Sequence, residues 1–251
     1  CLRVPTGGGK TLLACHAAGL AIRELLQAER AVVLWLVPSN TILNQTADAL
    51  RDHRHPYRRA LELACGGTVE VGTIDEALRL TRGTVDGRTV VIVSTIQCFR
   101  AEDTTGRKVY ARNTAFAEHL QNLGPERLAE LLPDVDGNPV PSLVNMLRLR
   151  RPVVIVDEAH NARTELSFST LGQVRPACIV EFTATPARRG NPSNVLHHVS
   201  AAELRSAHMI KLPLRVIVRH PSQRDQLLAE ALTLRGDLER LAGTEAQATG
   251  G

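Results

Sequence analysis

The sequence is poor in aromatic side chains, and this shortage narrows its function. Phe, Trp and Tyr make up 3% of the 251 residues. That is too few for the stacked rings on which proteins that read single strands base by base depend. We therefore expect any polynucleotide partner to be held by its phosphate backbone. The net charge of +4 is compatible with such a partner without establishing one.

Long apolar runs and paired cysteines are also absent. No run approaches the roughly 18 apolar residues of a membrane span, and the first residues, Cys1 to Val4, lack a signal-peptide pattern. The five cysteines are scattered, without a Cys-x-x-Cys pair, which is typical of reduced core residues. We expect a soluble, cytoplasmic protein without a membrane partner. Because Cys1 reads as part of a strand already under way, we also expect a fragment of a longer protein.

Apolar runs of strand length predict the fold class. The runs at 31–37, 89–93 and 152–156 show no alternation, as expected for parallel strands covered on both faces, and a further short strand is predicted at 178–182. The first of them follows an apolar helical stretch, Leu12 to Ala28. Strands and helices in this order predict an α/β protein with a mostly parallel, doubly wound sheet.

Looser patterns divide the rest of the chain. Residues 1–220 are predicted to form one domain, in which about 100–151 reads as a helical insertion. Residues 221–251 are predicted to be a helix with a heptad-like leucine stripe, followed by a flexible tail from Gly243. A further strand is expected at 212–218.

Glycines closed by a lysine and a threonine predict a phosphate-binding loop. Gly7, Gly8 and Gly9 leave backbone N–H groups free to face phosphate oxygens, and the following helix directs its N-terminal amides at the same anions. Lys10 would reach the outer phosphates and Thr11 would ligate Mg²⁺. The loop as a whole consists of Pro5, Thr6, Gly7, Gly8, Gly9, Lys10 and Thr11.

Lysine is scarce here, which strengthens the interpretation of Lys10. Only three of the 30 basic residues are lysines, and a compact ammonium fits between phosphates where a planar guanidinium does not. The loop departs from the usual pattern at Val4, where a glycine is expected. A glycine-rich turn that happens to precede a lysine remains the alternative.

Two adjacent carboxylates follow a buried strand. Asp157 and Glu158 come directly after the run 152–156, where two charges are unfavourable unless a cation or hydrogen-bond donors meet them. A Mg²⁺ ion bound to phosphates would do so. We therefore expect Asp157 to hold the ion and Glu158 to polarise the attacking water.

Short polar turns follow three other predicted strands. They are Pro38-Ser39-Asn40, Ser94-Thr95-Ile96-Gln97 and Thr183-Ala184-Thr185-Pro186. Parallel sheets place ligand contacts at the edge formed by the carboxyl ends of their strands, where these turns are expected to lie. Asn40 is predicted to cap the next helix, and for that turn ordinary capping explains the residues as well as a ligand does.

These motifs, in this order, resemble the first motor domain of superfamily 2 DEAD/DEAH-box helicases. The set comprises Gly-Gly-Gly-Lys-Thr, Val-Pro-Ser-Asn, Ser-Thr-Ile-Gln, Asp-Glu-Ala-His and Thr-Ala-Thr-Pro, and it spans Val4 to Pro186. The chain most resembles the Res subunit of type III restriction enzymes. That narrower likeness depends on residues 107–110, 199–204 and 211–213.

The resemblance implies a RecA-like P-loop domain that uses Mg²⁺ and ATP to move along nucleic acid, with DNA favoured over RNA. It places Lys10, Thr11, Asp157 and Glu158 on the nucleotide. It also assigns coupling roles to His160, Thr183 and Thr185 and a backbone track to Pro38, Ser39, Ser94 and Thr95.

The same resemblance implies that parts of the motor lie outside this chain. An adenine-reading segment would precede Cys1, and a second motor domain with an arginine finger would follow the C-terminus. A modification subunit is a further implied partner. We expect the chain to bind ATP and hydrolyse it weakly alone. An RNA helicase motor, a small-molecule P-loop kinase and a non-catalytic ATP-dependent interaction module remain as alternatives.

Overall fold

The computed structural model describes residues 1–99, 108–158, 171–187, 192–207, 209 and 220–249. Its strands are β1 (Leu2–Arg3), β2 (Val32–Val37), β3 (Val69–Thr73), β4 (Thr89–Thr95), β5 (Val153–Asp157), β6 (Cys178–Thr183) and β7 (His197–His198). The helices are α1 (Lys10–Leu20), α2 (Asn40–Arg51), α3 (Pro56–Cys65), α4 (Ile74–Ala77), α5 (Arg82–Gly87), α6 (Pro125–Ala129), α7 (Leu143–Arg150), α8 (Ala201–Ser206) and α9 (Arg224–Thr249). The predicted strand at 212–218 lies outside the described residues.

The described strands form one parallel sheet in the order β3-β4-β2-β5-β6-β1-β7. The strands that precede the phosphate loop and the carboxylate pair, β1 and β5, are separated by β6 alone. Since all carboxyl ends lie at one edge, the loop after β1 and the carboxylates after β5 come close together. The predicted α/β class with a parallel, doubly wound sheet is confirmed.

The alternation of side chains along β2 explains why both faces of the sheet are covered. Val33 and Trp35 point into a core layer shared with α1, α2 and α3. Leu34 and Leu36 point into the opposite layer. Because every residue of β2 is buried, its sequence is a continuous apolar run without polar alternation.

The segment that was predicted to be a helical insertion supplies much of that opposite layer. Phe116, Leu143, Met146 and Leu147 are fully buried against the sheet. The described part of the segment, residues 108–150, is therefore a packing layer. Its status as an insertion stays a prediction, and residues 100–107 lie outside the described part of the chain.

The chain divides into two compact units, Cys1–Ile210 and Lys211–Gly251. The described part of the second unit consists of a short 3₁₀ turn, Pro221–Gln223, and α9. Helix α9 continues to Thr249, and the flexible tail predicted from Gly243 stays a prediction. The predicted domain boundary at residue 220 stays a prediction.

Candidate nucleotide site

The loop between β1 and α1 makes a tight turn. The Gly8 N–H donates to the Pro5 carbonyl at 3.1 Å, and Val4 is held to the end of β6 by a 3.0 Å bond from its N–H to the Thr183 carbonyl. Gly7 and Gly9 have φ values of +84° and +73°, in the left-handed region that glycine enters without strain. The turn therefore requires glycine at both positions.

Gly8 is required for a different reason, which is space. A Cβ atom built there would lie 2.6 Å from Cγ1 of Val4 and 2.8 Å from Cδ1 of Leu204. Val4, which replaces the usual first glycine of the loop, is buried and fills the space beside Gly8. The departure from the usual pattern is thus accommodated by close packing within the loop.

Helix α1 begins at Lys10 and has no side-chain cap at its N-terminus. The first amides of a helix lack acceptors within the helix, and the helix dipole makes this end positive. Gly9, as the N-cap residue, contributes no side chain that would occupy them. The N-terminus of α1 can therefore bind an anion.

The structure brings the predicted lysine and threonine to the predicted carboxylates. Nζ of Lys10 lies 2.9 Å from Oε1 of Glu158. The Thr11 hydroxyl donates to Oδ2 of Asp157 at 3.4 Å. Glu158 follows β5 with a φ of +56°, a conformation that non-glycine residues rarely adopt. His160, the last residue of the Asp-Glu-Ala-His motif, lies outside the described residues.

Asp157 is a buried carboxylate, and the positive charge around it is too small to stabilise its charged form fully. Burial raises its pKa, and the neighbouring charge of Glu158 raises it further. Lys10 and the Thr11 hydroxyl act in the opposite direction without reversing the shift. A divalent cation would favour the charged form, and carboxylate and hydroxyl oxygens are ligands that Mg²⁺ accepts. The residues present therefore fit Mg²⁺.

A cavity of about 440 Å³, the candidate nucleotide cavity, opens in front of Lys10, Thr11 and the two carboxylates. Its volume falls within the range of small-molecule sites. The loop and the carboxylates form one part of the wall, and the second part comes from α2 and α3. The residues of that second part are Ile42, Gln45, Thr46, Ala49 and Tyr57.

Sequence reasoning missed this second part of the wall. One signal was present, because Thr46 is a polar residue beside Ala47 and Leu50 on the buried face of α2. No comparable signal marked Tyr57, which lies in the first turn of α3. Its place beside the phosphate loop depends on how α3 packs against the rest of the domain.

The predicted coupling threonines lie at the end of β6. Thr183 is buried and pairs with Arg3 in the parallel register, beside the start of the phosphate loop. Its hydroxyl accepts a 3.1 Å bond from the N–H of Thr185, and Thr185 itself is exposed. The structure thus places both residues near the loop, and their coupling role stays a prediction.

The turn after β2 differs in one detail from the prediction. Asn40 does not cap α2. Ser39 is the N-cap residue, and its hydroxyl accepts a 3.4 Å bond from the Ile42 N–H. Ser39 is exposed and Pro38 is half-buried, so both remain accessible at the carboxyl edge of the sheet.

The predicted polar turn does not include Ser94 and Thr95, so that part of the prediction is wrong, and their role in a backbone track stays a prediction. They are the last two residues of β4, which is buried along its whole length. The Ser94 hydroxyl donates to the Thr95 carbonyl at 3.0 Å, and the Thr95 hydroxyl lies 3.6 Å from the Cys98 thiol. Small hydroxyl side chains with internal partners continue a buried strand, so the strand ends two residues later than predicted.

Gln97 is the exposed residue of this stretch. It lines a second cavity, of about 400 Å³, together with Pro38, Ser39, Asp157 and Glu158. The carboxylates therefore border the nucleotide cavity on one side and an accessible part of the carboxyl edge on the other. Glu158 therefore lines both cavities.

The fold and this site define a RecA-like domain with a P-loop. The family model described as "Type III restriction enzyme, res subunit" matches residues 1–188, and the chain belongs to this family. Its members carry a superfamily 2 helicase N-terminal motor domain, which is an ATP-dependent, helicase-like module that acts with nucleotide, Mg²⁺ and nucleic acid. A search of curated proteins finds no match. No described helix has both the length and the apolar character to cross a membrane.

Proposed function

We propose that the chain is the ATP-binding motor domain of a DNA translocase or helicase that serves a restriction or defence system. The observation that carries this proposal is the meeting of the P-loop with the carboxylate pair. Lys10 is 2.9 Å from Glu158, and Thr11 is 3.4 Å from Asp157. Those are the four groups that phosphoryl chemistry in P-loop proteins requires together.

The loop would bind the triphosphate through the amides of residues 7–11 and the Lys10 ammonium. Thr11 and Asp157 would hold Mg²⁺, which when bound neutralises charge on the outer phosphates. Glu158 would orient the attacking water and accept its proton. Glu158 is paired with Lys10, so a phosphate that recruits Lys10 would also release Glu158 for this task.

Efficient turnover would need a group that the described site lacks. None of the described residues that line the nucleotide cavity is an arginine. An arginine finger is worth about 10³ to 10⁵ in turnover for P-loop enzymes. We propose that a second motor domain supplies it, so that this domain alone binds ATP and hydrolyses it slowly.

DNA is the substrate that the family description favours, since it names a restriction enzyme subunit. The exposed polar residues at the carboxyl edge, Ser39 and Gln97, would meet the phosphate backbone. Thr183 and Thr185, with His160, would pass the state of the nucleotide to this edge. A defence role would place the protein in the cytoplasm, with a modification subunit as its partner.

Nucleotide binding by a matched pair of lysine variants tests the site. Lys10→Ala removes charge-assisted contacts worth about 1.5–3 kcal/mol, so its ATP affinity should fall about 10- to 150-fold. Lys108→Ala removes an exposed lysine whose partner is Asp75 and should leave the affinity unchanged. Equal affinities for both variants would overturn the assignment of the phosphate loop.

Nucleic-acid binding tests the substrate. If only phosphates are contacted, the logarithm of the affinity should fall linearly with the logarithm of salt concentration, and the sequence of the duplex should not matter. Tighter binding of RNA than of DNA would favour an RNA helicase motor. Binding that is insensitive to salt would contradict a backbone track.

ATP turnover separates a nucleic-acid motor from an interaction module and from a small-molecule kinase. With a second motor domain supplied, the motor should hydrolyse ATP faster when DNA is added. A non-catalytic interaction module would bind ATP without turnover under the same conditions. A small-molecule kinase would transfer phosphate to an acceptor and ignore DNA.

A further inference from the structure

Thr46 is a buried polar residue whose hydroxyl lacks a protein partner among the described residues. It lies in α2 and is 7% exposed, and what remains accessible faces the nucleotide cavity that it lines. The hydroxyl makes no hydrogen bond to any described residue. Among the described residues, the fully buried polar atoms without a partner are Trp35 Nε1 and His119 Nδ1. The Thr46 hydroxyl is therefore open to the cavity, where it can bond to a water, an ion or a ligand.

Its neighbours in α2 show that the hydroxyl is not needed for packing. Ala47 and Leu50 fill the core between α2 and the sheet with apolar atoms alone. A threonine inside a helix often bonds back to the carbonyl four residues earlier. Thr46 makes no such bond to Ile42, so its hydroxyl remains available to the cavity.

The other groups around the cavity indicate what it meets there. Thr11 and Asp157 line the same cavity, and so does the amide side chain of Gln45. Mg²⁺ takes only one or two carboxylates from a protein and keeps several of its waters. Those waters need hydrogen-bond partners from the surrounding side chains, which fix the geometry of the ion.

We propose that the Thr46 hydroxyl accepts a hydrogen bond from a water of the Mg²⁺ ion that Thr11 and Asp157 hold. Thr46 is then a positioning residue for the hydrated ion. The inference rests on the proposed function, because it requires Mg²⁺–nucleotide in this cavity. The determinants of metal affinity then include α2, although none of the P-loop or carboxylate residues that line this cavity lies in that helix.

The Mg²⁺ dependence of nucleotide binding tests this inference without measuring turnover. The affinity for ADP is measured first without metal and then across a Mg²⁺ titration. Thr46→Val keeps the shape of the side chain and removes the hydroxyl. Loss of an outer-shell partner costs about 10- to 100-fold in metal affinity, so the variant should need at least about tenfold more Mg²⁺. Its affinity for metal-free ADP should stay as in the parent chain.

Two further variants serve as controls. Thr46→Ser retains the hydroxyl and should restore the Mg²⁺ dependence. Thr41→Val changes the same residue type in the same helix at an exposed position that does not line the cavity, and it should behave as the parent chain. Thermal unfolding of each variant checks that α2 still packs.

Several outcomes would overturn the inference. An unchanged Mg²⁺ requirement in Thr46→Val would show that the hydroxyl does not hold the hydrated ion. An equal loss of affinity with and without metal would show that it contacts phosphate instead. If Lys10→Ala failed to weaken nucleotide binding, the proposed function itself would fail, which is a separate result.

Discussion

Lys10 and Glu158 form an ion pair that joins the first residue of α1 to the residue after β5. Their Nζ and Oε1 atoms are 2.9 Å apart, and Lys10 is buried. The cation that should bind phosphate is thus already neutralised within the protein. In the proposed function, nucleotide binding would exchange this partner for a phosphate, so the pair would couple phosphate binding to the release of Glu158.

Replacing Glu158 with glutamine should separate binding from chemistry. Glu158→Gln weakens the pair with Lys10, and ATP affinity should rise about 1.4- to fivefold, given the 0.2–1 kcal/mol of a partly exposed ion pair. Turnover with a second motor domain present should fall about 10²- to 10⁴-fold, because the general base is lost. Isothermal titration and steady-state kinetics measure the two effects.

Glu76→Gln is the matched control, because Glu76 is an exposed carboxylate that pairs with Arg51 outside the nucleotide cavity. It should change neither quantity. Full turnover in Glu158→Gln would exclude Glu158 as the group that orients water.

Replacing the glycines of the phosphate loop with alanine should weaken ATP binding for two different reasons. Gly8→Ala places a Cβ atom 2.6 Å from Cγ1 of Val4 and so forces the loop to move. Gly9→Ala has open space around it and is instead strained at its φ of +73°, by roughly 1–2 kcal/mol. Both variants should lose ATP affinity, as measured by titration. Gly87→Ala, which meets no atoms within 4 Å, is the control.

A second substitution should distinguish the two mechanisms. Val4→Ala removes the Cγ1 atom that Gly8→Ala would meet, so the double variant should regain part of its affinity. The same substitution should not rescue Gly9→Ala, because no side chain causes that strain. Equal rescue of both, or of neither, would contradict the steric account of Gly8.

Much of the site was predictable because its signals are local. A few residues of sequence are enough to predict each half of the site. The phosphate loop is indicated by three glycines before Lys10, and the metal-binding pair by two carboxylates after an apolar run. The parallel sheet then brings them together, since β1 and β5 end at the same edge. The burial of Trp35 within a continuous apolar run was predictable for the same reason.

The parts that were missed depend on packing between distant elements. Nothing near Tyr57 indicates that α3 borders the phosphate loop, and the single signal for α2 is the polar Thr46 on its buried face. Ser94 was misread because a hydroxyl looks the same in sequence whether it ends a buried strand or begins a turn. Its partner, the neighbouring carbonyl of Thr95, is a feature of the folded strand.

His119 should make the fold sensitive to mild acid. Burial lowers its pKa, an effect that the nearby Arg150 reinforces and that the Leu80 carbonyl, Glu118 and Asp86 oppose. Its Nδ1 atom is buried without a partner, so a proton there would have no acceptor among the described residues. The folded state therefore disfavours the charged form. The stability that this provides is present above the unfolded pKa of about 6.5 and is lost as the pH falls through the folded value.

Urea unfolding at pH 7.5 and at pH 5.5 checks this expectation. The free energy of unfolding should fall more between these values for the parent chain than for His119→Gln, which cannot gain the charge. His198→Gln, at an exposed position in β7, is the control and should follow the parent chain. Identical pH profiles for the parent chain and His119→Gln would remove His119 as the cause.

Asp157→Asn should make the domain more stable and less able to use Mg²⁺. The pKa of Asp157 is raised by burial and by Glu158. A raised pKa means that its contribution to stability is fully present below the unfolded value of about 3.8 and is lost as the pH rises through the folded value. At neutral pH the charged carboxylate therefore opposes folding, and asparagine removes that charge.

Thermal unfolding across pH, with and without Mg²⁺–ADP, tests both effects in one experiment. Without ligand, Asp157→Asn should unfold at a higher temperature than the parent chain at pH 7, and the difference should shrink as the pH approaches 4. The additional stabilisation by Mg²⁺ over metal-free ADP should be lost, because a neutral amide is a weaker ligand than a carboxylate. A variant that is less stable at pH 7 and still responds to Mg²⁺ would show that Asp157 serves the fold and not the metal.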